Sequence, residues 1–165
     1  MTTFATATFV YVSDAVDATI DAYVMDAKTG TLTSIGKAEA GKTVMPMAVA
    51  PDKGFLYAVV RSQPMRVLTY AIDGKSGALT QKATAPLPDS MPYVSTDRGG
   101  RFLFTASYGG DKVAVSPVDE DGLVTAGGDP GAADRPQCPF DPGGPHQPLR
   151  LFRHSRRQRG DAVRL

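Results

Sequence analysis

Apolar and polar positions alternate along much of this chain with a period of two, the spacing of strands that bury one face. The alternating runs recur. "FVYVSD" begins at Phe9, "FLYAVV" at Phe55 and "FLFTAS" at Phe102, in steps of 46 and 47 residues. Each is followed by a second run: "TIDAYVMD" from Thr19, "RVLTYAID" from Arg66 and "KVAVSPVD" from Lys112. A turn and a third short strand come next, in "AKTGTLTSIG", "GKSGALTQKA" and "EDGLVTA". Gly30 and Gly77 are 47 residues apart, as are Leu32 and Leu79. A fourth short run, "PMAVAPDKG" from Pro46 and "PYVSTDRGG" from Pro92, leads into the next unit. The Asp, Gly and Lys of these connections suit tight or left-handed backbone. "APDKG" and "TDRGG" therefore predict hairpin turns, and no segment predicts a helix.

Four short strands in a unit of about 40–50 residues is the arithmetic of a β-propeller blade. The expected fold is all-β, with two and a half to three four-stranded blades in residues 1–126 and an irregular tail over 127–165. A generic β-sandwich is the alternative. The in-register recurrence of the internal landmarks argues against it.

Charge divides the chain at the same place. The net charge is +1, but residues 1–134 carry 11 basic and 15 acidic side chains, and residues 135–165 carry 7 and 2. The last segment has seven arginines without lysine, five prolines, both histidines and the single cysteine, Cys138. Arginine, proline and glycine without lysine is what GC-rich DNA yields in a wrong reading frame. With one choice of synonymous codons, a one-base shift across Arg135–Leu165 yields a peptide containing "NAHSIPVDPTNRFVF". That peptide repeats the pattern of "VAPDKGFLY" (Val49–Tyr57). Residues 127–165 are therefore expected to be an out-of-frame or disordered basic tail. The rival reading is a tail that binds nucleic acid through phosphate contacts, which the shortage of interleaved aromatics does not favour.

One cysteine makes no internal disulfide, and the N-terminus has neither a basic stretch nor a long apolar one. No run of 18 apolar residues suggests a membrane span. A cytoplasmic location is the expectation, without a membrane partner.

"PMAVAPDKGFLYAVVRSQPMRVLTYAID" and "STDRGGRFLFTASYGGDKVAVSPVDEDGL" resemble the bacterial 6-phosphogluconolactonases of the seven-bladed propeller family, from about Val10 to Leu123. The likeness implies seven blades, more than this sequence can supply. It implies hydrolysis of a phosphorylated sugar lactone in the pentose phosphate pathway, with no metal and no cofactor, and a chain inactive by itself. Alternatives are a carboxymuconate-lactonising type of enzyme and a noncatalytic propeller that binds a partner protein.

Lactone hydrolysis needs a group to activate water and donors for an oxyanion. Residues 1–134 contain no histidine or cysteine, which excludes Ser/His and Cys/His arrangements and imidazole or thiolate metal sites there. No catalytic residue is named on sequence grounds. Arg61 resembles the family's arginine after "FLYAVV", and its planar fork suits carboxylate, phosphate or oxyanion. The plain alternative is a solvated loop arginine, the reading preferred for Arg66. Ser107 and Tyr108 match the family's "SY" and form an expected substrate-binding wall, or else a tyrosine that caps the strand. Met45-Pro46 and Met91-Pro92 are expected at equivalent strand starts, as packing. Asp14, Asp17, Asp52 and Asp97 read as turn formers.

Overall fold

The computed structural model describes residues 7–126. The expectation for the tail, including Cys138, His146 and His154, falls on residues outside that range.

Ten strands follow one another without a helix: β1 (Thr8–Asp14), β2 (Thr19–Met25), β3 (Leu32–Glu39), β4 (Val44–Val49), β5 (Phe55–Val60), β6 (Arg66–Ile72), β7 (Leu79–Pro86), β8 (Tyr93–Thr96), β9 (Phe102–Ser107) and β10 (Lys112–Pro117). They form three antiparallel sheets in simple up-and-down order, β1-β2-β3, β4-β5-β6-β7 and β8-β9-β10. These are called blades 1, 2 and 3. Only blade 2 has four strands among the described residues. The third strand expected in "EDGLVTA" is reduced to one bridge, Val124 with Val118.

Turn chemistry explains the boundaries. The carboxylate of Asp97 accepts hydrogen bonds from the backbone of Gly99, Arg101 and Phe102 and so closes the β8–β9 hairpin. Burial pushes this carboxyl up, but those three N–H groups and the Arg101 charge outweigh it, so its pKa lies below the ordinary value. Asp52 closes the β4–β5 turn through Gly54, and Asp14 opens the β1–β2 turn through Val16 and Asp17. Asp73 holds the β6–β7 turn through Ser76 and Lys75. Asp17 lies in its turn as a donor to Asp14.

The core lies between blades, as stacked sheets require. Ile20, Val44, Leu56, Ala58, Val60, Leu68 and Tyr70 fill the space between blades 1 and 2. Tyr57, Val59, Val67, Met91, Val94 and Leu103 belong to the layer between blades 2 and 3. Alternation in β5 decides the split: Leu56, Ala58 and Val60 face one neighbour, Tyr57 and Val59 the other. Each Val, Leu, Ile or Met among them contributes about 1.5–3 kcal/mol on full burial. The two methionines expected to be equivalent differ. Met91 is fully buried just before β8, whereas Met45 lies within β4 and is 40% exposed. β4 shifts register between Val44 and Met47, which turns Met45 out of the ladder.

Candidate substrate-binding face

Up-and-down order puts alternate connections at opposite ends of each blade. One end carries the β1–β2, β3–β4, β5–β6, β7–β8 and β9–β10 connections, and the other carries the β2–β3, β4–β5, β6–β7 and β8–β9 turns. Arg61 directly follows β5, and Ser107 and Tyr108 lie at the close of β9, so all three stand at the first end. The sequence-predicted residues are thus brought to one face of adjoining blades.

The link between them is the β7–β8 loop. The Arg61 Nε donates to the Ser90 hydroxyl at 2.9 Å, and the Arg61 backbone N–H donates to the Thr43 carbonyl at 3.2 Å. The guanidinium is tethered through one nitrogen, while its terminal NH₂ groups make no ion pair among the described residues. Asp89, next to Ser90, stands 3.9 Å from the Lys112 ammonium and packs directly on Gly110. A Cβ at position 110 would meet that carboxylate and make it shift, so the second glycine of "SYGGD" leaves Asp89 its place. Lys112 also donates to the Pro88 carbonyl at 3.4 Å.

Ser107 and Tyr108 behave differently. Ser107 is 5% exposed, and its hydroxyl accepts the Gly110 N–H at 3.1 Å, closing the β9–β10 turn. Tyr108 is 83% exposed and stands free on that turn. Arg66 reaches the Pro64 carbonyl at 3.0 Å, a local contact beside the loop. Sequence reasoning missed Asp89, Ser90 and Lys112. The available signal was "LPDSMP", a polar pair fenced by prolines at the level of Arg61.

A cavity of about 320 Å³ lies at the opposite end, lined by Asp52, Phe55, Tyr57, Gly100, Arg101 and Asp119 among others. Burial, then the Asp52 and Asp119 charges, push the Tyr57 hydroxyl up to about 12. Asp52, Asp119 and Glu120 outweigh Arg101 there, which is the wrong sign for an anionic ligand. Among the described residues no group of three or more His, Cys, Asp or Glu is placed to hold a metal ion. No helix there is long and apolar enough to cross a membrane.

The family model for "Lactonase, 7-bladed beta-propeller" matches residues 7–133. The chain belongs to this seven-bladed lactonase family. A 6-phosphogluconolactonase of Pectobacterium atrosepticum is 50% identical over 95 residues, 58% of this chain and 28% of that protein. One of Xenorhabdus nematophila is 45% identical over 97 residues, 59% of this chain and 29% of that protein. The chain therefore spans under a third of the length of these relatives. The periplasmic gluconolactonase of Pseudomonas aeruginosa is 28% identical with a TM-score of 0.59, over 66% of this chain and 33% of that one. A Bacteroides fragilis structure gives a TM-score of 0.66 at 21% identity, over 71% and 34%, and shares the fold. These matches, with an all-β chain of stacked antiparallel sheets, make the propeller assignment firm.

Proposed function

We propose that this chain supplies part of the substrate-binding face of a lactone hydrolase acting on 6-phosphogluconolactone. The observation that carries the reading is the tethered arginine. Arg61 is fixed through Nε to Ser90, and its unpaired terminal nitrogens present a bidentate anion-binding fork on the blade end it shares with Tyr108. The 6-phosphogluconolactonase relatives support the choice of lactone.

In the reaction, water adds to the lactone carbonyl, whose oxygen gains negative charge. The ring C–O bond then breaks, and the departing oxygen takes up a proton. The product is an open-chain acid that ionises to a carboxylate. Arg61 would bind the phosphate, the carboxylate or the developing oxyanion, each of which a guanidinium matches. Tyr108 would offer an exposed hydroxyl at the same blade end. Ser107 would hold the turn that presents Tyr108, keeping one hydroxyl hydrogen to donate. The group that activates water belongs to other blades of the ring. The reading places the enzyme in the cytoplasm and in the pentose phosphate pathway, with neither metal nor cofactor.

The test is a chimera in which residues 1–126 replace the matching blades of the Pectobacterium atrosepticum relative. Hydrolysis of 6-phosphogluconolactone within about tenfold of that parent supports the proposal. A folded chimera without hydrolysis sinks it and leaves a noncatalytic propeller.

A further inference from the structure

"VVR", ending at Arg61, and "SYGGD", from Ser107 to Asp111, lie on different connections of the same blade end. One side chain of the β7–β8 loop engages both. Asp89 uses its two carboxylate oxygens separately. Its Oδ1 accepts the Ser90 N–H at 2.7 Å. Its Oδ2 is turned to the β9–β10 turn, where it stands 3.9 Å from the Lys112 ammonium and against Gly110. The Ser90 hydroxyl in turn accepts the Arg61 Nε–H at 2.9 Å. An unbroken run of contacts thus leads from the turn that carries Tyr108 to the Arg61 guanidinium.

The contacts of Oδ2 are unequal. The pair with Lys112 is long and partly exposed on both sides, so it counts for little. The seat on Gly110 is close. A Cβ at 110 would meet Oδ2 and stand 2.8 Å from the Asp89 Cγ, yet the Gly110 backbone lies outside the left-handed region. Glycine serves here by the room it leaves Asp89, not by its conformational freedom. Asp89 is therefore held from two sides, by the Ser90 N–H and by the turn of blade 3. That fixes the Ser90 peptide and the place of its hydroxyl. A guanidinium held at one nitrogen has less freedom to lose when the other two grip an anion.

We propose that Asp89 is a positioning residue for Arg61: seated on Gly110, it fixes Ser90, and through Ser90 the direction of the arginine fork. Its part in the reaction rests on the reading of Arg61 as a substrate contact. The relay makes the Arg61 connection of blade 2 and the Tyr108 turn of blade 3 one unit, joined by the loop between the blades.

Nitrogen-15 NMR of the full 165-residue chain tests this. The Arg61 Nε–H signal is identified by its loss in Arg61→Lys, and its exchange with solvent reads the tether. Ser90→Ala should speed that exchange by about 2- to 10-fold, the effect of one net hydrogen bond. Asp89→Ala and Gly110→Ala should each speed it within the same range, although neither position touches Arg61 in the relay. Asp89→Asn should stay near wild type, because its amide oxygen still accepts the Ser90 N–H. Adding Gly110→Ala to Asp89→Ala should change nothing more, since the new methyl no longer meets a carboxylate. Dispersed backbone amide signals show that each variant is folded. Wild-type exchange in folded Asp89→Ala or Gly110→Ala overturns the proposal. So does Asp89→Asn as fast as Asp89→Ala, or a double variant in which the two effects add. The measurement uses no substrate, so the relay and the lactonase reading fail separately. In a chimera that hydrolyses the lactone, Asp89→Ala should lower kcat/KM by about 2- to 10-fold and Asp89→Asn should not. An unchanged kcat/KM in Asp89→Ala overturns the positioning role.

Discussion

Blade 1 clasps blade 2 at Gly77, whose carbonyl accepts from the Tyr11 hydroxyl and against which the Phe9 ring lies, and this clasp makes a quantitative prediction because the equivalent turn glycine, Gly30, lacks these contacts among the described residues. Gly30 and Gly77 occupy equivalent turns with φ of +73° and +72°, so alanine strains the backbone alike at both, by about 1–2 kcal/mol. At Gly30 the added methyl meets open space. At Gly77 it would stand 2.7 Å from Phe9 Cε1 and 2.8 Å from Ile35 Cδ1, where neighbours must shift. Overpacking of that kind adds about 1–3 kcal/mol. Displacing the Phe9 ring also disturbs the Tyr11 bond to Gly77, whose net worth is about 1 kcal/mol. The expected losses are therefore about 1–2 kcal/mol for Gly30→Ala and about 3–6 kcal/mol for Gly77→Ala. Urea unfolding followed by circular dichroism, at concentrations where the chain is monomeric, reads the difference. With a slope of about 1–3 kcal/mol per molar urea, the midpoints should separate by about 1 M or more. Equal midpoint shifts for the two variants would refute the clasp as a source of stability.

Other outcomes follow from the same contacts. The hydroxyls of Thr69 and Thr105 are buried without a hydrogen-bond partner among the described residues, so Thr69→Val should raise stability by up to about 1 kcal/mol in urea unfolding. Burial pushes Tyr57 and Tyr70 up to about 12. Their contribution should be complete below pH 10 and fade between about 10 and 12, where the unfolded chain ionises first; unfolding midpoints across that range check it. In the chimera, Ser90→Ala should lower kcat/KM for 6-phosphogluconolactone by about 2- to 10-fold, by releasing the Arg61 tether. Sequencing the DNA in all three frames from codon 115 onward should show blade-like repeats after a one-base shift; a single open frame through the tail would refute that reading.

The strands, their turns and their stacking were legible because each blade states the same pattern in its own residues. "FLYAVV" could be read as a strand between two neighbours once "FVYVSD" and "FLFTAS" stood at the same step. The aspartates could be read as turn formers because a short carboxylate reaches the N–H groups two to five residues ahead, as Asp97 does. The face around Arg61 was half legible. The strand end located Arg61, but its tether comes from Ser90, 29 residues away in another blade's connection, and no local pattern encodes that. Ser107 and Tyr108 are adjacent in sequence, yet Ser107 ends β9 buried while Tyr108 begins the turn and faces solvent. The equivalence of Met45 and Met91 failed because β4 carries a register shift that no composition signal marks. The clasp was present in the sequence as aromatic pairs and glycines in step. Only packing of one blade on the next shows that they touch.

The central claim is that the Arg61 end of the blades binds substrate, and steady-state kinetics of Arg61→Ala in the chimera test it most directly. The account predicts a fall in kcat/KM for 6-phosphogluconolactone of about 10- to 100-fold, the loss of a charge-assisted contact, with part recovered by Arg61→Lys. An unchanged kcat/KM in a folded Arg61→Ala protein would contradict it and move the substrate away from this face.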